Sequence, residues 1–250
     1  MMSVTAALIT KNEEMNIGPC LKTLDWADEI VVVDSGSTDT TIDRARALGA
    51  KVVQSAFVDF AAQKNRALQE ASKDWVFFID ADERVTPELA GRIRQIVKAD
   101  ERTAVYAVKR NSYLFGRLFR YTGTQDDFPV RLLPRTLARF EQPVHEIVAT
   151  ALPVRKIAEP LMHHSTRDLK QYFSKMDHYL ALEMQAMKLK EKRVAWWDPW
   201  LRAPARFLML YFVKLGFLDG IQGFLFSALS GYYDYRKYEM FFCLSRRSPA

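Results

Sequence analysis

Residues 29–39 read EIVVVDSGSTD, from Glu29 to Asp39. Ile30 to Val33 are consecutive β-branched residues with no polar alternation, the pattern of a strand covered on both faces. Strands of that kind sit in parallel sheets with helices on either side. The run ends at Asp34 and passes into Ser-Gly-Ser-Thr-Asp, which is turn chemistry. Ser37 and Thr38 are candidate N-caps for a helix through Ala47, and Gly49 can stop it. Outward from this stretch, Val4–Thr10 reads as a preceding strand and Met15–Leu24 as the helix between the two. Lys51–Gln54 follows as a third strand, Phe60–Ala71 as a helix, and Trp75–Asp80 (WVFFID) as a fourth strand. Thr86-Pro87-Glu88 opens a helix to about Lys98 with cap, first-turn proline and acid in order. The alternation predicts an α/β fold: a mostly parallel central sheet flanked by helices, with a helical extension after it.

Apolar residues make up 49% and charged residues 26% of the 250 residues, which is globular composition. Cys20 and Cys243 lie at opposite ends of the sequence without metal-ligand spacing. That excludes a disulfide framework and suits a reducing compartment. The N-terminus lacks a basic segment followed by a long apolar one, so a cytoplasmic protein is expected. The net charge of +6 is unevenly placed: residues 1–166 balance, and residues 167–250 hold 14 Lys and Arg against 8 Asp and Glu.

Three divisions are expected along the chain: 1–100 for nucleotide binding, 101–166 for acceptor and catalysis, and 167–250 as a basic, aromatic helical extension. In the middle, Val105–Lys109 and Val130–Leu133 resemble strands, and 110–165 otherwise reads as irregular structure carrying a site. Phe207–Tyr233 is strongly apolar but interrupted by Lys214, Asp219 and Gln222, so a membrane-spanning helix is not expected. Trp196, Trp197 and Trp200, near Arg193, Arg202 and Arg206, read as an interfacial segment that favours an anionic membrane surface over nucleic acid. A helical cap packed on the main domain is the plainer alternative.

In an open α/β sheet the ligand lies beyond the carboxyl ends of the strands. Asp34 ends one strand, Asp80-Ala81-Asp82 another, and Thr10-Lys11-Asn12-Glu13-Glu14 the first. Two carboxylates one residue apart can turn toward one hard cation, Mg²⁺ or Mn²⁺, which bridges to a diphosphate and stabilises its charge as it leaves.

ITKNEEMNIGPCLKTL, VVVDSGSTDTT, AAQKNRALQEAS and FFIDADERVTPEL, in this order and spacing, resemble the family 2 glycosyltransferases, which have the GT-A fold. The resemblance implies a nucleotide-sugar pocket from Thr10, Asn12, Glu14, Asp34, Ser37 and Asp39, with Lys64 toward the phosphates. It also implies Asp82 as principal metal ligand, with Asp80 by the ribose and metal and Ala81 between them. Ser35 stands where many members have a second Asp. KRNSYLFGR, the block Thr122–Arg135, Val144-His145-Glu146 and GFLDGIQGF look like the lipopolysaccharide core glucosyltransferases. That implies inverting transfer of a hexose, glucose from UDP-glucose, to an inner-core heptose on a lipid-anchored acceptor, by an enzyme peripheral to the inner face of the inner membrane. Glu146 or Asp127 would be the base, Arg131 or Arg135 a phosphate clamp, and His145, with His163 and His164 as further candidates, a metal ligand or acceptor contact. Transfer to another glycolipid or a polyprenyl phosphate is an alternative within this class. A nucleotidyltransferase is the alternative from another class, although TKNEEMN stands where such enzymes carry a Gly-rich basic loop.

Overall fold

A computed structural model describes residues 2–99, 102–142, 147–166, 168–189 and 192–247. The strands are β1 (Val4–Thr10), β2 (Glu29–Asp34), β3 (Lys51–Gln54), β4 (Trp75–Phe78), β5 (Glu83–Val85), β6 (Val105–Leu114), β7 (Arg117–Leu118), β8 (Val130–Pro134), β9 (Arg139–Glu141), β10 (Ile147–Ala149) and β11 (Val154–Thr166). The helices are α1 (Glu14–Leu21), α2 (Thr41–Ala47), α3 (Phe60–Glu70), α4 (Pro87–Ala99), α5 (Leu169–Leu189), α6 (Asp198–Leu208) and α7 (Gly220–Arg247). The main sheet runs β3-β2-β1-β4-β8-β6-β11-β5, and β9 with β10 forms a separate ribbon. β3, β2, β1 and β4 are mutually parallel. β8 then joins β4, and β6 joins β8, in antiparallel sense.

The apolar runs divide by parity. Val4, Ala6, Leu8, Val32, Trp75 and Phe77 pack on one face with Ile17, Leu89 and Ile93 of α1 and α4. Ala7, Val31, Val33, Val76 and Phe78 pack on the other with Ala61, Ala67 and Leu68 of α3. Both faces are covered, which is why these strands carry no polar alternation.

Three expectations are corrected. Helix α2 begins at Thr41, not after Ser37 or Thr38, because Asp39 accepts from the Thr41 backbone N–H at 3.0 Å and Ser37 is engaged with Asn12 and Asp34. Helix α1 ends at Leu21, short of Leu24; the Thr23 hydroxyl donates to the Cys20 carbonyl at 2.8 Å and closes it. The segment 110–165 is largely strand: β6 continues to Leu114 and β11 spans Val154–Thr166. These are antiparallel strands with half-wet faces and charged residues along them, so their apolar signal is weak.

The chain forms two compact units: Met1–Arg110 with Asp127–His163, and Asn111–Asp126 with His164–Ala250. The second is mostly helical. Asp168 accepts from the Gln171 N–H at 2.8 Å and caps α5. Met184, Met187, Tyr238 and Phe241 form its core between α5 and α7. After α6 the chain makes a π-helical turn, Met209–Val213, and a 3₁₀ turn, Gly216–Asp219. The break is set by close packing: a side chain at Gly223 would place its Cβ 2.0 Å from the Gly216 carbonyl oxygen. Asp219, 2% exposed, accepts from the N–H groups of Arg120 (3.1 Å) and Tyr121 (3.0 Å) and from the Thr122 hydroxyl (2.7 Å). Those bonds hold Thr122 at a φ of 61°, a costly conformation for a β-branched residue.

Candidate active site

The parallel strands deliver Thr10, Asp34 and Asp80 to one edge of the sheet, as the register Thr10↔Asp34 requires. Asp34 is fully buried. Its Oδ1 accepts from the Gly36 and Ser37 N–H groups (3.0 and 2.7 Å), and its Oδ2 accepts from the Thr10 hydroxyl (3.0 Å) and the Ser37 hydroxyl. The carboxylate thus fastens the loop after β2 to the end of β1. Asn12, with a φ of 55°, continues the seam: its N–H donates to Ser37 Oγ and its Oδ1 accepts from the Thr38 N–H, both at 2.8 Å. Glu14 accepts from the Thr40 hydroxyl at 2.9 Å, and its N–H donates to Asp39 Oδ2 at 3.1 Å. Of the six residues expected for the nucleotide pocket, Thr10, Asn12, Asp34 and Ser37 form one hydrogen-bonded lip and Glu14 with Asp39 a second pair after it.

Asp80-Ala81-Asp82-Glu83 is a tight turn. The Glu83 N–H donates to the Asp80 carbonyl at 2.9 Å, and the Asp80 N–H donates to Glu83 Oε2 at 3.0 Å. Ala81 is 4% exposed and its carbonyl accepts from Arg84, so the turn packs its methyl inward; Glu83 is buried with it, and Asp80 keeps the most open carboxylate of the three. The antiparallel register Trp75↔Pro134, Phe77↔Leu132 carries Arg131 alongside the end of β4. There its Nη2 lies 2.6 Å from Asp80 Oδ2 and also bonds Glu83. Burial alone would push the Asp80 carboxyl up, but the Arg131 guanidinium outweighs it, with help from Lys64 and Arg110, and holds it well below the usual carboxylate range. Glu83 goes the other way: complete burial raises it further than Arg131 lowers it, and the charge on Asp80 adds to the rise. Burial opposes the Arg131 charge, but the two carboxylates raise its pKa above the ordinary guanidinium value.

A cleft of about 410 Å³ opens beside this cluster, lined by Lys64, Asp80, Arg110 and Arg131 among apolar neighbours that include Val130 and Phe140. Lys64 is only 8% exposed, with its Nζ 5.3 Å from the centre of the Phe140 ring. The Nε of Arg131 is buried and has no hydrogen-bond partner among the described residues. An unpaired buried donor on a residue that shares its cleft with two further cations fits an anion with several oxygens, such as a diphosphate.

The turn also fits a hard divalent cation. Asp80 and Asp82 offer carboxylate oxygens, and His163 of β11, opposite Glu83 in the register, puts its Nε2 3.5 Å from Asp82 Oδ2. Among the described residues no group of three His, Cys, Asp or Glu side chains is placed to hold an ion by itself. A cation bound here would draw its remaining ligands from phosphate oxygens and water, as Mg²⁺ sites commonly do.

The other expected residues fall as follows. Asp127 is paired with Arg110, Oδ2 to Nε at 2.7 Å. Arg135 donates to the Lys73 carbonyl at the opposite end of β4 and does not join the site. His164 stacks on Tyr113 with centroids 5.1 Å apart. His145 and Glu146 lie outside the described residues. Glu83 and Arg110 join the cluster without having been singled out from sequence. The available signals were an acid three residues after Asp80, directly following the Asp80-Ala81-Asp82 pair, and a basic pair, Lys109-Arg110, ending an apolar run.

A family model described as Glycosyl transferase family 2 matches residues 5–125. The lipopolysaccharide core biosynthesis glycosyltransferase LpsC of Rhizobium meliloti (strain 1021) is 30% identical over 247 residues, covering 92% of this chain and 88% of the relative. The uncharacterized glycosyltransferase RT0209 of Rickettsia typhi is 27% identical over 258 residues, with 92% and 83% covered. Among solved structures, glucosyl-3-phosphoglycerate synthase from Mycobacterium tuberculosis, in complex with Mn²⁺, UDP and glucosyl-3-phosphoglycerate, is 29% identical with a TM-score of 0.38. That overlap takes in 45% of this chain and 44% of that one, too little to bear on the assignment. The near full-length relative and the motif-bearing half agree: the chain belongs to glycosyl transferase family 2 and is a sugar-transferring enzyme.

Proposed function

We propose that the enzyme transfers a hexose, glucose from UDP-glucose, with inversion to an inner-core heptose of lipopolysaccharide, using Mg²⁺ or Mn²⁺. The observation that carries the reading is the Arg131 Nε without a partner among the described residues, on a residue that lines one cleft with Lys64, Arg110 and Asp80. Cations and paired carboxylates at one strand end suit a nucleoside diphosphate and the divalent ion that accompanies it. The acceptor class is supported by the likeness to a lipopolysaccharide core biosynthesis glycosyltransferase over most of both chains.

Asp82 and Asp80 would hold the cation, which when bound stabilises negative charge on the departing diphosphate. Arg131 and Lys64 would orient the phosphates. The lip of Asn12, Ser37 and Thr38 would border the base, while Asp34 keeps that lip in shape. A carboxylate must take the proton from the attacking acceptor hydroxyl. Glu146 is proposed for that role and Asp127 is the alternative, although Arg110 already holds the Asp127 carboxylate.

Replacing Asp82 by Asn keeps the size and removes a charged ligand. Turnover with UDP-glucose and Mn²⁺ should fall about 10²-fold or more, with the melting temperature unchanged. Near wild-type turnover in the variant would overturn the site.

A further inference from the structure

The helical unit carries an exposed apolar surface that includes none of the candidate site residues. A surface helix ordinarily turns its apolar stripe inward. On α6 and the turn after it, Trp197, Leu201, Ala205, Leu208 and Phe212 recur every three or four residues, hence on one side, and all five are exposed. Leu201 is 63% and Phe212 55% exposed. The opposite side is the packed one: Pro199 and Leu210 are buried, and a side chain at Gly231 of α7 would place its Cβ 2.9 Å from the Ala203 carbonyl. The stripe continues round the corner into α7 through Val213 (72%), Phe217, Leu218, Ile221 (73%) and Phe224. From Phe207 to Tyr233 only Lys214 and Asp219 are charged, and Asp219 is buried. At the other end of the stripe Lys188, Lys192 and Arg193 are exposed next to exposed Trp196 and Trp200.

We propose that α6 lies in the headgroup–acyl boundary of an anionic bilayer, parallel to its surface, with the corner Val213–Phe224 dipping into one leaflet. Three observations select this occupant. Exposed tryptophans rimmed by lysine and arginine, continuous with an apolar stripe, match a membrane interface, and the basic excess after residue 166 complements anionic lipid. A second copy of the same face would set like charges against each other. A crossing is disfavoured by shape: no single helix is long and apolar enough, and the pair that passes on length and composition, Asp198–Val213 with Gly216–Ser245, is bent by 73°. The first arm, sixteen residues, falls short of the roughly 20 a crossing needs. This proposal does not depend on the identity of the sugar or of the acceptor.

The test is flotation of the full chain with vesicles of phosphatidylcholine, pure or mixed with phosphatidylglycerol. Binding to mixed vesicles is expected at low salt, weakening without vanishing at high salt. Tryptophan emission should be quenched more by lipids brominated near the headgroup than by those brominated near the chain end. The triple variant Leu201→Glu, Leu208→Glu, Phe212→Glu should lose binding to both vesicle types while keeping the wild-type melting temperature. Lys188→Glu, Lys192→Glu, Arg193→Glu should cost about tenfold or more on mixed vesicles and little on neutral ones. Wild-type binding by the triple stripe variant, or no binding at low salt, would overturn the proposal. So would stronger quenching from the chain end, which means a span, or a dimer that the stripe variant dissociates, which means a copy interface.

Discussion

The two compact units dispose of charge and apolar surface in opposite ways. In the α/β unit the apolar runs are sealed on both faces of the sheet, and the charges gather at the strand ends, where Arg131, Asp80 and Glu83 bind one another at the mouth of a cleft. In the helical unit the largest apolar side chains face outward along α6, and the charge at its corner, Asp219, is the group enclosed. The comparison teaches that amphipathic pattern and burial are separate facts. The same residue types mark a core in one place and an exposed face in the other.

The widest separation should come from chemistry. Glu146→Gln should lower transfer by about 10² to 10⁴-fold with donor binding and vesicle flotation both unchanged. Steady-state turnover beside UDP-glucose titration checks this, and a larger defect in Asp127→Asn would move the base there. Next is a matched pair of phenylalanines. Phe77→Ala, in the sealed sheet, should cost about 3–5 kcal/mol, whereas Phe212→Ala, on the open stripe, should stay within about 0.5 kcal/mol. Urea unfolding of both variants without lipid would break the comparison if the costs were alike.

The smallest effect concerns the two thiols. Cys20 is fully buried beneath the Asp80 turn, its Sγ 3.6 Å from the Asp80 carbonyl, and burial pushes its pKa well above the usual thiol range; Cys243 is exposed on α7. A thiol reagent should label Cys243 in the folded protein and reach Cys20 only on unfolding. Because the folded pKa of Cys20 is the raised one, its stabilising effect is complete below the unfolded value of about 8.5 and declines as pH rises past it. The stability gap between wild type and Cys20→Ala should therefore narrow above that pH, by at most ~1.4 kcal/mol per unit. A constant gap from pH 7 to about 10 would contradict that account.

The parallel half of the sheet was legible because a strand covered on both faces has no polar positions to confuse the pattern. Asp80 and Asp82 were legible because an acid pair ending an apolar strand has few structural uses. The antiparallel half was legible in part: Val105–Lys109 and Val130–Leu133 read as strands and fall in β6 and β8. The rest of β6 and all of β11 present a face with charged or histidine residues, so apolar periodicity alone left them as loop. Glu83 and Arg110 stayed hidden because their role depends on register, which brings β8 with Arg131 beside the end of β4 and β6 with Arg110 beside β8. The buried latch of Asp34 was equally unreadable, since sequence gives a carboxylate at a strand end without saying which donors surround it. On α6 the period was clear and its direction was not, because a stripe does not say which side it faces.

Asp219 carries a consequence for the order of events in assembly. Its carboxylate is clad by two peptide N–H groups and a hydroxyl supplied by residues 120–122, almost a hundred positions earlier in the chain. A corner meeting lipid before those donors arrive would bring a bare anion toward hydrocarbon, at a cost of several kcal/mol. Once they are in place, the charge travels inside its own solvation shell of protein. Under the docking proposed above, maturation would run in one direction: Arg120, Tyr121 and Thr122 would close on Asp219 in water, and the finished corner would meet the bilayer afterwards.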